Sequence, residues 1–180
     1  KGLVGVGPLA YLRGEILIDD GQVYVSRVLE DGSVRVEENP SATAPFFVYA
    51  NVTKWHTLPW PENTTSIAQL ETFLDQKYAG SNAPFALRLT GTVNRANIHV
   101  QNLPEGSQVR SPQEAHVGQV NVELPRQEVT VVGFYSRKHQ GVFTHHDSNL
   151  HLHLITADRS LMGHLDAVEF GSMKLFVSEE

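Results

Sequence analysis

The 180-residue sequence contains no cysteine. Disulfide staples and thiolate metal sites are therefore excluded, and the redox compartment cannot be read from thiol usage. No apolar run approaches the roughly 18 residues that a membrane-spanning helix needs. No long basic run is present and the formal net charge is −6, which argues against nucleic acid as a partner. Internal repeats longer than a hairpin and low-complexity segments are also missing. The opening KGLVGVGPLA lacks a signal-peptide pattern, which by itself says nothing about export. Localisation stays open between cytoplasm and exterior.

What is present is ordinary for a soluble globular chain, with 41% hydrophobic and 19% charged residues. The length suits one domain, or two small lobes sharing a core. Most segments read as strand. GEILI, DDG and QVYVSRV form a hairpin signal around an Asp-Gly turn, and VLEDGSVRV repeats it at Asp31-Gly32. FFVYANV (46–52) reads as a more buried strand, and the prolines of KWHTLPWPENTT mark a loop. One helix stands out. Ser66 and Gln69 fit a capping box, Ile67, Leu70, Leu74 and Tyr78 share a face, and Gly80 supplies a stop. Residues 85–100 read as one strand or a bent pair, 102–118 as a long irregular loop, and QVNVELP and EVTVVGFYS as strands. The expected fold class is α+β and mostly β: two lobes of facing mixed or antiparallel sheets with one clear helix. The whole chain, 1–180, is expected to be one domain, its N-terminal lobe about 1–85 and its C-terminal lobe about 86–180.

The chemistry concentrates in NLHLHLITADRSLMGHLDA, residues 149–167. Side chains alternate faces along a strand, so Leu150, Leu152 and Leu154 suit a core while His151 and His153 face a cavity or solvent. ADRSLMG reads as a turn region and HLDAVEF as the returning strand. With an even count through that connection, His164 lands on the face of His153. Three converging neutral imidazoles with an open position are the ligand set of a catalytic zinc site. Without a metal, gathering three titratable rings costs solvation, and repulsion once they protonate. A His-x-His pair alone is as readily a polar strand face, and the third imidazole makes metal the stronger reading. Tyr135, Ser136, Arg137, Lys138 and His139, with His145, His146 and Asp147, either back and cover such a site or form a polar surface loop, the second being favoured. His145 and His146 are adjacent and cannot both face one metal from a strand. His56 and His116 fall in expected loops and attract no functional reading.

These residues resemble a known family. VGFYS (132–136), HLHLITADR and GHLDAVEF look like the metal-binding segment of the α-acetolactate decarboxylases, in which a His-x-His is followed eleven residues later by a third histidine, as His153 and His164 are here. RGEILIDDGQVYV resembles the family's hairpin bearing a catalytic glutamate, at Glu15; APFFVY (44–49) and LRLTGTV (87–93) fall where the family has comparable strands. The resemblance implies two facing β-sheets, a zinc ion on His151, His153 and His164, and a bacterial enzyme, homodimeric, of acetoin biosynthesis. Its reaction would be decarboxylation of a small molecule, 2-acetolactate, to acetoin through a metal-stabilised enediolate, with Glu15 relaying a proton.

Two positions depart from the family. Its substrate-binding arginine, counted from Thr92, is replaced here by His99. Arg95 lies on the same strand face but about 13 Å away on a straight strand, so it substitutes only through a bulge or shifted register. Arg95 and His99 are accordingly the candidate substrate-handling residues. The family also brings a glutamate to the metal from some tens of residues past the third histidine. Only sixteen residues follow His164, ending at Glu179 and Glu180, and Glu169 is expected to face the other way, so either the chain is shortened or this member lacks that carboxylate. These departures keep two alternatives open: the same metal fold acting on a different 2-hydroxy-3-oxo acid, or a metal-containing binding module without catalysis.

Overall fold

The computed structural model of the protein describes residues 1–142, 144 and 147–178. A first sheet contains β1 (Leu3–Pro8), β2 (Glu15–Asp19), β3 (Gln22–Val28), β4 (Val34–Glu38) and β5 (Val48–Asn51), in the order β4-β3-β2-β1-β5. A second contains β6 (Trp55–Leu58), β7 (Phe85–Val100), β8 (Val120–Leu124), β9 (Gln127–Tyr135), β10 (Leu150–Thr156) and β11 (Met162–Ser178). Every ladder between these strands is antiparallel. The 17-residue β11 pairs with β7 as well as with β10, so β7, β9, β10 and β11 close into a ring. The expected mostly-β fold with two facing sheets and one clear helix is the one observed.

The hairpin signals translate directly. Asp20 and Gly21 both have positive φ, 49° and 87°, as a two-residue turn between β2 and β3 requires. Helix α1 (Ile67–Lys77) begins at the capping box of Ser66 and Gln69 and buries Leu70 and Leu74. Those leucines pack on Leu150, Leu152 and Leu154 and on the apolar face of β7. That face of the second sheet is thereby sealed. Its other face meets the first sheet through a second core, where Val6, Leu17 and Tyr24 pack against Val132, Phe134, Ile155 and Met162.

Two local expectations are corrected. FFVYANV is not a buried strand: β5 is the edge of the first sheet, alternating inward Val48 and Ala50 with outward Tyr49, which is 68% exposed. KWHTLPWPENTT is not all loop, because Trp55–Leu58 pairs with Leu175–Ser178 at the edge of the second sheet. The prolines lie beyond Leu58 and leave that ladder intact. The loop expected at 102–118 also holds one short helical turn, α2 (Pro112–Ala115).

The inward face of β2 carries Glu15, Leu17 and Asp19 at period two. Leu17 joins the core between the sheets. Asp19 accepts two hydrogen bonds from the Arg88 guanidinium of β7, at 2.8 and 3.0 Å. This half-buried bidentate pair fixes the two sheets at one end of β2, and Glu15 occupies the other.

Gly133 lies on β9 opposite Leu152 of β10. A Cβ there would run into the carbonyl oxygen of His151. Gly133→Ala should therefore push apart the two strands that position the histidines, costing about 1–3 kcal/mol. At this chain length that is a fall of roughly 2–12 °C in Tm, measurable by calorimetry; an unchanged Tm would contradict the packing described.

Candidate metal centre

His153 and His164 are direct cross-strand partners on β10 and β11. His164 is in turn the direct partner of His99 on β7. Three imidazoles thus form a row across three strands, and His151 joins them from two residues before His153. The ring centroids of His151, His153 and His164 lie 5.1, 5.2 and 5.3 Å apart, and one ligand nitrogen from each falls within 4.8 Å of the others. The Nε2 atoms of His151 and His153 are 3.2 Å apart. Two nitrogens held at about 2.0–2.1 Å around a near-tetrahedral zinc are separated by roughly that distance. The donor set therefore fits a divalent cation with an open position.

Glu15 approaches from the first sheet. Its Oε2 is 3.8 Å from His153 Nε2 and its Oε1 is 3.9 Å from His99 Nε2, while Oε1 accepts the backbone N–H of Gln101 at 3.1 Å. The residue is 2% exposed. Burial pushes its carboxyl well above the usual carboxylate range, the Gln101 hydrogen bond opposes that shift, and the negative charge of Asp166 adds to it. Burial thus shifts the balance at Glu15 toward the protonated form relative to a surface glutamate.

His99 is held by Asp166, whose two oxygens lie 2.9 and 2.8 Å from its Nδ1. Its ring stacks on His164 at 4.7 Å and meets His116 edge-on at 5.5 Å. Asp166 sits where the register of β11 against β7 shifts between Leu165 and Ala167, a bulge that redirects a side chain. A cavity of about 510 Å³ opens over these groups. Its lining includes Glu15, the three candidate ligands, His99, Gln101, Arg110 and His116. A larger cavity, about 660 Å³, surrounds Asp19 and Arg88; it contains a closed ion pair and no histidine, so the chemistry belongs to the smaller one.

Of the residues singled out from sequence, Glu15, His99, His151, His153 and His164 come together. Arg95 does not. Its side chain is 68% exposed and reaches Glu123 at 3.5 Å; between Arg95 and His99 the extra residue of the ladder is Asp166 on β11, and the bulge on β7, at Asn94, lies on the side of Arg95 away from His99. Tyr135 points away as well, donating to Asp75 of α1 at 2.6 Å. Arg137 donates to the carbonyl of Ala79, and Ser136 and His139 bond each other. Gly141, Val142 and Thr144 reach the cavity wall, whereas His145, His146, Glu179 and Glu180 lie outside the described residues. Asp166, Gln101, His116 and Arg110 escaped the sequence reading. Asp166 and Gln101 each follow a site histidine by two, a parity signal that was legible; nothing in the sequence points to the two loop residues.

The family model for alpha-acetolactate decarboxylase matches residues 1–179. The alpha-acetolactate decarboxylase of Brevibacillus brevis is 26% identical over 185 residues, covering 99% of this chain; the chain spans 60% of that relative's length. The crystal structure of alpha-acetolactate decarboxylase from Bacillus subtilis strain 168 superposes with a TM-score of 0.77 at 21% identity, over 98% of this chain and 73% of that one. A Staphylococcus aureus protein described as of unknown function and similar to alpha-acetolactate decarboxylase gives a TM-score of 0.74 at 17% identity, over 97% and 72%. These last two likenesses concern the fold. With the family model matching almost end to end, the chain belongs to the alpha-acetolactate decarboxylase family.

Proposed function

We propose that the protein is a zinc-dependent lyase that converts 2-acetolactate to acetoin and carbon dioxide. The observation that carries this reading is the convergence of three imidazoles beside a buried glutamate in a cavity, in a chain of this family. His151, His153 and His164 would hold the metal. When bound, zinc supplies a Lewis acid beside the oxygens on which negative charge develops.

The remaining work falls to the chain itself. Breaking the C1–C2 bond releases carbon dioxide and leaves its electron pair on C2, delocalised over the adjacent ketone as an enediolate. One proton delivered to C2 completes acetoin. Glu15 would deliver it: burial raises its carboxyl's hold on a proton, Gln101 donates to Oε1, and Oε2 lies toward His153. Delivery from one side of the cavity would set the product's configuration. His99, oriented by Asp166, bounds Glu15 on the other side. The same Asp166-clamped His99, standing where the family has arginine, favours one second reading: a different 2-hydroxy-3-oxo acid as substrate.

An acetoin colour assay on zinc-loaded protein tests the substrate; failure with acetolactate but turnover of a related 2-hydroxy-3-oxo acid selects the second reading. Glu15→Gln should lower kcat by about 10²- to 10⁴-fold while zinc content stays the same. Unchanged turnover in that variant removes Glu15 from the mechanism. Imidazole binds metal only when neutral, so protons compete with zinc as pH falls through the histidine range near 6.5. Zinc occupancy is expected to be complete at pH 8 and to fall toward pH 5 and below, followed by metal analysis after dialysis. Full retention at pH 4 would contradict an imidazole site.

A further inference from the structure

A 2-hydroxy-3-oxo acid is an anion, and the carboxylate that leaves must first be held at a fixed angle to the ketone. His99 offers no such clamp. His99 is bound at Nδ1 by both oxygens of Asp166, and that carboxylate repels a second one nearby. Arg95 is committed to Glu123 outside the cavity, and Arg88 to Asp19 at the far end of β2.

We propose that Arg110, from the loop between β7 and β8, is the residue that binds the substrate carboxylate. Among the described residues lining the cavity it is the only lysine or arginine. Its guanidinium hydrogen-bonds the neutral Gln108 Oε1 at 3.3 Å and has no carboxylate within ion-pair distance among the described residues. Arg13, Arg27, Arg35, Arg88 and Arg95 each have one. The loop is tied to the site at both ends. Leu103 N–H donates to Leu12 at 2.9 Å, and His116 sets its ring against His99. In between, Glu114 accepts the backbone N–H of Arg110 at 2.5 Å, which fixes the chain there while leaving the guanidinium free to turn. Arg110 is exposed yet lines the cavity, so it stands at its solvent-facing part, whereas Glu15 is buried. A carboxylate held there departs toward solvent while the proton arrives from the closed side.

This inference rests on the proposed reaction only in needing an anionic hydroxy acid, and binding tests it without turnover. Zinc-loaded wild type, Arg110→Gln and Arg110→Lys are titrated calorimetrically with 2-hydroxyisobutyrate, an anionic hydroxy acid that has no ketone and cannot decarboxylate, and with neutral acetoin. Arg110→Gln should weaken the acid about 10- to 100-fold and move acetoin less than twofold; Arg110→Lys should recover part of the loss. Zinc content should be equal in all three. Equal weakening of both ligands, no weakening of either, or no binding to wild type overturns the assignment. Should wild type turn over acetolactate while Arg110→Gln keeps its KM, the assignment falls and the proposed reaction stands. Should the acid bind in an Arg110-dependent way without acetolactate turnover, the carboxylate site stands and the substrate is another acid.

Discussion

The site depends on one constraint: a glutamate from one sheet is shut against the histidines of another. Glu15 reaches His153 and His99 at 3.8 and 3.9 Å only because β2 lies face to face with β10 and β7. An uncompensated carboxylate in that gap would be costly to bury. The cost is met in three ways. Burial favours the protonated form, the group accepts the Gln101 N–H, and it faces a nitrogen cluster suited to a cation. Leu17 and the Asp19–Arg88 pair, further along the same face of β2, hold the sheets in the register that makes this possible.

Strand pairing does the rest. One row of the second sheet runs His153–His164–His99 through two directly opposed pairs. The leucines between the histidines face the other way and are anchored by α1. The strand thus serves two purposes at period two, with a sealed apolar side fixing the position of the reactive side. Asp166, two residues after His164 and at the bulge in β11, sets a carboxylate onto His99.

Much of this was legible in the sequence because it is local. The alternation of NLHLHLIT placed two imidazoles on one face and the count through the following turn added His164, the Asp-Gly turns set the hairpins, and Ser66 with Gln69 started the helix. Family likeness supplied the role of Glu15, which no local pattern connects to residues over 130 positions away. The failures have one cause. Whether β5 is central or edge, whether Trp55–Leu58 finds a partner, and whether Arg95 reaches the cavity are decided by tertiary neighbours. The loop 102–118 is the strongest case. Its polar, proline-containing sequence marks an irregular segment, and the docking of His116 on His99 and of Leu103 on Leu12 brings it over the site.

The most direct measurement is anomalous diffraction at the zinc edge from crystals of the zinc-loaded protein. One strong peak is expected within about 2.0–2.1 Å of a nitrogen on each of His151, His153 and His164, with Glu15 facing its open side. A peak elsewhere, or none with the three rings turned apart, would contradict the account.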